Sequence, residues 1–126
     1  MALRKKKIIL IVDDETEARQ VLCAYLQRKG FITQEAGHGK EALAAIEAQR
    51  PDLLILDLLM PVMDGFEVLR FLKASQNYKD IPVIMLTIKS DPQHLRKGIS
   101  LQADFYLPKP FKLDNLMKFV KLLTKD

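Results

Sequence analysis

Lys7-Ile-Ile-Leu-Ile-Val-Asp13-Asp14-Glu15-Thr16-Glu17 decides the fold. Ile8–Val12 is an unbroken run of branched apolar residues. With no polar alternation, it suits a strand covered on both faces, as in a parallel sheet. The acidic stretch that follows suits the positive end of a helix. Ala18, Val21, Leu22, Tyr25 and Leu26 then recur at the spacing of one helix face, and Gly30 stops that helix. A buried strand followed at once by an amphipathic helix is the opening of a βαβ unit.

The pattern repeats along the chain. Residues 31–36 read as a second strand. Gly37 and Gly39 flank a turn, and residues 40–49 form a helix with Leu43 and Ile46 inward. Pro51 precedes a third strand, Leu53–Leu56. A loop from Pro61 to Gly65 leads into a helix with Val68, Leu69 and Leu72 on one face. Residues 75–80 form a polar connector, and Pro82 opens a fourth strand ending near Thr87. A helix covers about 92–101 and a fifth strand covers 104–107. Pro108-Lys109-Pro110 breaks the chain, and a last helix repeats apolar residues at Leu113, Leu116, Met117, Val120 and Leu123. Strands alternating with helices require an α/β fold, a doubly wound parallel sheet with right-handed crossovers and helices on both faces.

Composition sets the outer bounds. At 126 residues the chain suits one domain, 1–126, with a basic tail over 1–6. Its hydrophobic content of 48% and charged content of 29% argue against disorder. The single cysteine, Cys23, excludes an intramolecular disulfide and a cysteine-built zinc site, and fits a reducing, cytoplasmic setting. The apolar runs are too short to span a bilayer, and the N-terminus lacks the cleavage site of a signal peptide. The net charge of +4 lies wholly in residues 87–126, which hold eight Lys/Arg against four Asp/Glu. Apart from that excess, the tight basic cluster is Arg4, Lys5, Lys6 and Lys7. It carries no interleaved aromatics, so it argues poorly for nucleic-acid binding by this chain alone.

Open parallel sheets bind ligands beyond the carboxyl ends of their strands. The polar residues at those ends are Asp13, Asp14, Asp57, Thr87 and Lys109. Each has a plain structural reading: Asp13 or Asp14 as a helix N-cap, Asp57 as a turn starter, Thr87 as a strand residue, Lys109 as a surface lysine. Together they read differently. Three converging carboxylates repel one another unless a cation lies between them. Hard oxygen ligands select a hard dication, and Mg²⁺ suits because it takes few carboxylates and completes its octahedron with waters and phosphate oxygens. Mg²⁺, an ammonium and a hydroxyl make a receptor for a phosphoryl group, and an aspartate beside it can act as nucleophile.

Here the sequence resembles the receiver domains of two-component response regulators, of the chemotaxis-regulator type. The resemblance runs from Lys7 to about Thr124. It rests on Asp13-Asp14, Pro51-Asp-Leu-Leu-Ile-Leu-Asp57, Met60-Pro-Val-Met-Asp-Gly65, Ile81-Pro-Val-Ile-Met-Leu-Thr87 and Ala103-Asp-Phe-Tyr-Leu-Pro-Lys109-Pro-Phe111. It implies a flavodoxin-like sheet of order 2-1-3-4-5. It implies that Asp57 accepts a phosphoryl group from a histidine kinase or phosphotransfer protein. Asp13 and Asp14 would hold Mg²⁺ together with Asp57 and the backbone carbonyl of Leu59. Lys109 would contact the phosphoryl oxygens. Thr87 would move to bond that group, and Tyr106 would turn inward as it does. The Lys109–Pro110 peptide bond would be cis.

The implied output is a remodelled face made by the fourth helix, fifth strand and last helix. Arg96, Lys97, Lys112, Lys118, Lys121 and Lys125 make that region basic, which suits plain solubility, an acidic downstream partner or a homodimer. Two residues depart from the family pattern. Ile88 stands where a small residue is usual, and Leu59 where a polar residue or Met is frequent. Two bulky apolar side chains at the mouth would exclude attacking water and slow self-dephosphorylation. The rivals are a pseudo-receiver that takes no phosphate and a Mg²⁺-dependent phosphohydrolase. The intact Asp57, Thr87 and Lys109 oppose the first. The adjacency of Asp13 and Asp14 opposes the second. A dinucleotide site is opposed by the acidic loop after the first strand, which lacks glycines. After the last helix no room is left for an output domain, so the chain is expected either to act alone by docking or to be a piece of a longer protein.

Overall fold

The computed structural model describes residues 6–60, 63–88 and 102–125, with the side chain of Ile88 excepted. The strands are β1 (Ile8–Val12), β2 (Ile32–Ala36), β3 (Leu53–Asp57), β4 (Val83–Ile88) and β5 (Phe105–Lys109). The described helices are α1 (Thr16–Arg28), α2 (Gly39–Ala48), α3 (Gly65–Lys73) and α4 (Leu113–Thr124). The helix expected over 92–101, with Arg96 and Lys97, lies outside the described residues.

All strand pairs are parallel, and the sheet order is β2-β1-β3-β4-β5. Alternate residues of the central strands divide between two cores. Leu10, Val12, Leu54, Leu56, Val83 and Met85 face α2 and α3 through Ile46, Val68, Leu69 and Leu72. Ile9, Ile11, Leu53, Ile55, Ile84 and Leu86 face α1 and α4 through Leu22, Leu26, Leu116 and Val120. Both faces of every central strand are therefore dry, which is why those strands read as apolar runs and not as alternations. The doubly wound α/β fold, with helices on both faces, is the one expected from the sequence.

Two local readings are corrected. The chain does not break at Pro108: β5 continues through Lys109, pairing Thr87 with Pro108 and Ile88 with Lys109. Proline is tolerated there because β5 is an edge strand, where a missing N–H forfeits no ladder bond. Val21 does not join the buried face of α1. It is 57% exposed, and Leu22, Cys23, Tyr25 and Leu26 make that face. On α3, Phe66 is buried and Phe71 is 42% exposed. Gly30 does end α1, at φ +97°, a conformation in which a Cβ is strained.

Candidate functional site

Register brings the polar strand ends together. Val12 pairs with Leu56, Asp57 with Leu86, and Lys109 with Ile88. Asp13, Asp57, Thr87 and Lys109 therefore leave the sheet along the same edge, at its carboxyl end. Asp13, Asp57 and Thr87 are buried there, while Asp14 is exposed.

Asp57 is fixed through its backbone. The Leu58 amide donates to the Leu86 carbonyl at 3.0 Å, and the Leu58 carbonyl accepts from the Gly65 amide at 2.9 Å. The start of α3 thus lies directly on the end of β3. A Cβ at Gly65 would fall 2.6 Å from the Asp57 carbonyl oxygen, so only glycine fits. The turn into α3 is secured by a capping box. Asp64 accepts from the Glu67 amide at 3.0 Å, and Glu67 accepts from the Asp64 amide at 3.4 Å. The Asp-x-x-Glu spacing carried this signal in the sequence.

Asp13 caps no helix. Its Oδ1 accepts from the Glu15 amide at 2.9 Å, and Glu15 is the residue at the N-cap of α1. Its own amide donates to the Ala36 carbonyl at 3.1 Å, which ties the site to β2. Its carbonyl accepts from Arg19 Nη1 at 2.7 Å. Arg19 was not singled out in the sequence. The available signal was a cation six residues after Asp13, near the start of a helix whose dipole favours anions.

The electrostatics centre on Lys109. Its ammonium lies 3.2 Å from Asp57 Oδ1 and 3.6 Å from Asp13 Oδ2. Burial alone would lower its pKa, but the Asp57 and Asp13 carboxylates outweigh that and raise it. The Asp57 pKa is raised to about 6, chiefly by burial, with Asp13 and Asp14 adding repulsion and Lys109 opposing them. One ammonium does not balance three carboxylates.

One carboxylate oxygen from each of Asp13, Asp14 and Asp57 lies within 4.8 Å of the others. Opposite ligands of an Mg²⁺ octahedron stand about 4.1 Å apart, twice the metal–oxygen distance. The trio therefore fits a small hard dication with little closing-up. Thr87 lies near the end of β4, one residue beyond the partner of Asp57. Tyr106 packs its half-buried ring against the core under α2 and α3. Its hydroxyl is buried near the Ala103 backbone without a well-formed hydrogen bond among the described residues, and burial raises its pKa. Leu59 is 44% exposed beside this mouth. The Lys109–Pro110 peptide bond is cis. Next to Lys109, a cavity of about 560 Å³ opens between α1 and the start of α4, lined by Val21, Leu22, Leu86, Phe111 and Leu113. Among the described residues, no helix is long and apolar enough to cross a membrane.

The fold is shared with known proteins. The family model of the response regulator receiver domain matches residues 9–121. The DNA-binding response regulator MtrA of Mycobacterium tuberculosis is 40% identical over 113 residues, covering 90% of this chain and 48% of that protein. The chain thus spans about half the length of the curated relatives it matches. Among solved structures, the signal receiver domain of a signal transduction histidine kinase from Syntrophus aciditrophicus superposes with a TM-score of 0.89. It is 39% identical, and the match covers 94% of this chain and 89% of that one. The chemotaxis protein CheY4 of Vibrio cholerae gives a TM-score of 0.88 at 34% identity, over 94% of this chain and 99% of that one. With its sheet order, its strand-end aspartates and the full span of that match, the chain belongs to the response regulator receiver domain family.

Proposed function

We propose that this receiver domain is a switch operated by Mg²⁺-dependent phosphorylation of Asp57. The observation that carries the reading is the placement of Lys109 3.2 Å from Asp57 Oδ1, within a cluster of three carboxylates at the strand ends. Asp13, Asp14 and Asp57, with the Leu59 carbonyl, would hold the metal, and it would supply charge neutralisation and orientation for the incoming phosphoryl oxygens. The donor is a phosphohistidine on a kinase or phosphotransfer protein. An Asp57 oxygen attacks phosphorus, the O–P bond forms and the P–N bond breaks. The electron pair leaves with the imidazole, which takes up a proton. Lys109 turns from the carboxylates to the new phosphoryl oxygens, so its charge is used both before and after transfer.

The added charge draws the Thr87 hydroxyl inward, and Tyr106 fills the space behind it. The strand β5 and helix α4 then present a changed surface to a downstream protein or to a second copy of the chain. Lys112, Lys118, Lys121 and Lys125 are exposed on that side and suit an acidic partner. The domain performs no chemistry beyond its own phosphorylation and dephosphorylation, acts in the cytoplasm, and as a unit covers residues 1–126. Neither a membrane nor nucleic acid is a partner of this unit by itself.

Intact mass after incubation with acetyl phosphate tests the reading. A gain of one phosphoryl group that disappears with EDTA and in Asp57→Asn is expected. No gain with acetyl phosphate or with any histidine kinase would overturn it in favour of a pseudo-receiver.

A further inference from the structure

Arg19 reaches back from the first turns of α1 and makes two directed bonds. Nη1 donates to the Asp13 carbonyl at 2.7 Å, and Nε donates to Glu35 Oε1 at 2.9 Å. Its side chain is only 15% exposed. The Asp13 amide is meanwhile held by the Ala36 carbonyl, and its carboxylate by the Glu15 amide. Every polar group of Asp13 therefore has a fixed partner. The bond from Arg19 falls on the carbonyl of the Asp13–Asp14 peptide. The orientation of that peptide helps to direct Asp14, the exposed member of the carboxylate trio, as it leaves the backbone.

We propose that Arg19 is a positioning residue for the divalent cation: braced by Glu35 on β2, it orients the Asp13–Asp14 peptide so that the Asp14 carboxylate meets those of Asp13 and Asp57. This rests on the Mg²⁺ reading above. Groups behind metal ligands typically change affinity by 10–100-fold when removed. The geometry uses features particular to arginine. A planar fork can serve a carbonyl and a carboxylate at once, whereas a lysine ammonium on a flexible stem cannot hold both in fixed directions.

A purely structural tie between α1 and β2 makes a different forecast, and so does charge alone. Loss of a tie lowers stability without changing cation affinity. Loss of a positive charge near an acidic cluster tightens cation binding. Weakened binding after removal of Arg19 is therefore specific to the positioning role.

The experiment is calorimetric titration of Mg²⁺ into wild type, Arg19→Ala, Arg19→Lys, Glu35→Ala and Asp57→Asn, with metal-free thermal melts of each. Arg19→Ala is expected to raise the Mg²⁺ dissociation constant about tenfold. Arg19→Lys should recover part of that loss, and Glu35→Ala should show a smaller rise. An unchanged or tighter constant in folded Arg19→Ala overturns the proposal. Should that variant fail to fold, Arg19→Lys and Glu35→Ala decide by the same criterion. Wild type that binds no Mg²⁺, or binds it no better than Asp57→Asn, overturns the metal reading itself, an outcome distinct from failure of Arg19 alone.

Discussion

The carbonyl oxygen of Asp57 lies 2.6 Å from where a Cβ on Gly65 would sit. The Asp57 backbone and the first residue of α3 are thus in direct contact, with no room for a methyl group. Gly65→Ala is expected to cost about 1–3 kcal/mol, the range for overpacking, and to slow phosphorylation by displacing Asp57. Gly30 offers the contrast. No atom lies within 4 Å of its Cβ position, and its cost would come from positive φ alone, about 1 kcal/mol, with phosphorylation unchanged. Urea unfolding and acetyl phosphate kinetics on both variants check this pair. Equal phosphorylation rates would show that the contact does not govern Asp57.

The raised Asp57 pKa predicts how metal-free stability varies with pH. The folded protein holds this proton up to about pH 6, whereas the unfolded chain releases it near 3.8. Between those values the folded state binds more protons, so stability falls as pH rises through the window, by up to ~3 kcal/mol from this group. Asp57→Asn removes that slope and is expected to be more stable than wild type at pH 7.5. Denaturant midpoints of both proteins at pH 4 and 7.5, with EDTA present, decide it. A less stable Asn variant at pH 7.5 would contradict the excess of buried negative charge.

Lys109→Ala separates the two uses of that ammonium. Before transfer it neutralises carboxylates and competes with a metal for them, so its loss should raise the Asp57 pKa further and tighten Mg²⁺ binding. In the proposed transfer it would face the phosphoryl oxygens, so its loss should slow phosphorylation about a hundredfold or more. Mg²⁺ titrations and phosphorylation rates moving in opposite directions are the expected signature.

Ile88→Ala is expected to shorten the lifetime of the phosphorylated protein. A branched side chain immediately after Thr87 would hinder an attacking water, and Leu59, 44% exposed beside the mouth, would add to that. Loss of phosphoryl mass over time in wild type and variant measures the effect. Equal lifetimes would remove these side chains from the control of dephosphorylation.

The sheet was legible because its central strands are dry on both sides, and nothing but an apolar run satisfies that. Its edges were not. Pro108 reads as a stop because proline lacks a donor, and only the strand's place at the edge makes that lack harmless. Val21 fits the spacing of the buried face of α1, yet it stands at the rim of a cavity that only tertiary packing creates. The acidic residues, Thr87 and Lys109 were recognisable as strand-end chemistry. Arg19 was not, because its role lies in a bond to a main-chain carbonyl, and a carbonyl carries no mark in sequence. Gly65 was read as the end of a loop, whereas its requirement comes from β3, eight residues earlier in the chain.

The last strand has a consequence for how this domain behaves in a crowd. β5 is the last strand in the sheet order, and an edge strand is the kind of ledge on which a neighbouring molecule can add a strand and begin a polymer. Residues 108 and 110 offer no N–H to such a visitor, so its hydrogen-bond ladder would fail just where the strand emerges beside the carboxylate cluster. The same prolines that mislead a reader of the sequence thus oppose backbone pairing along this edge and leave association to the side-chain surfaces.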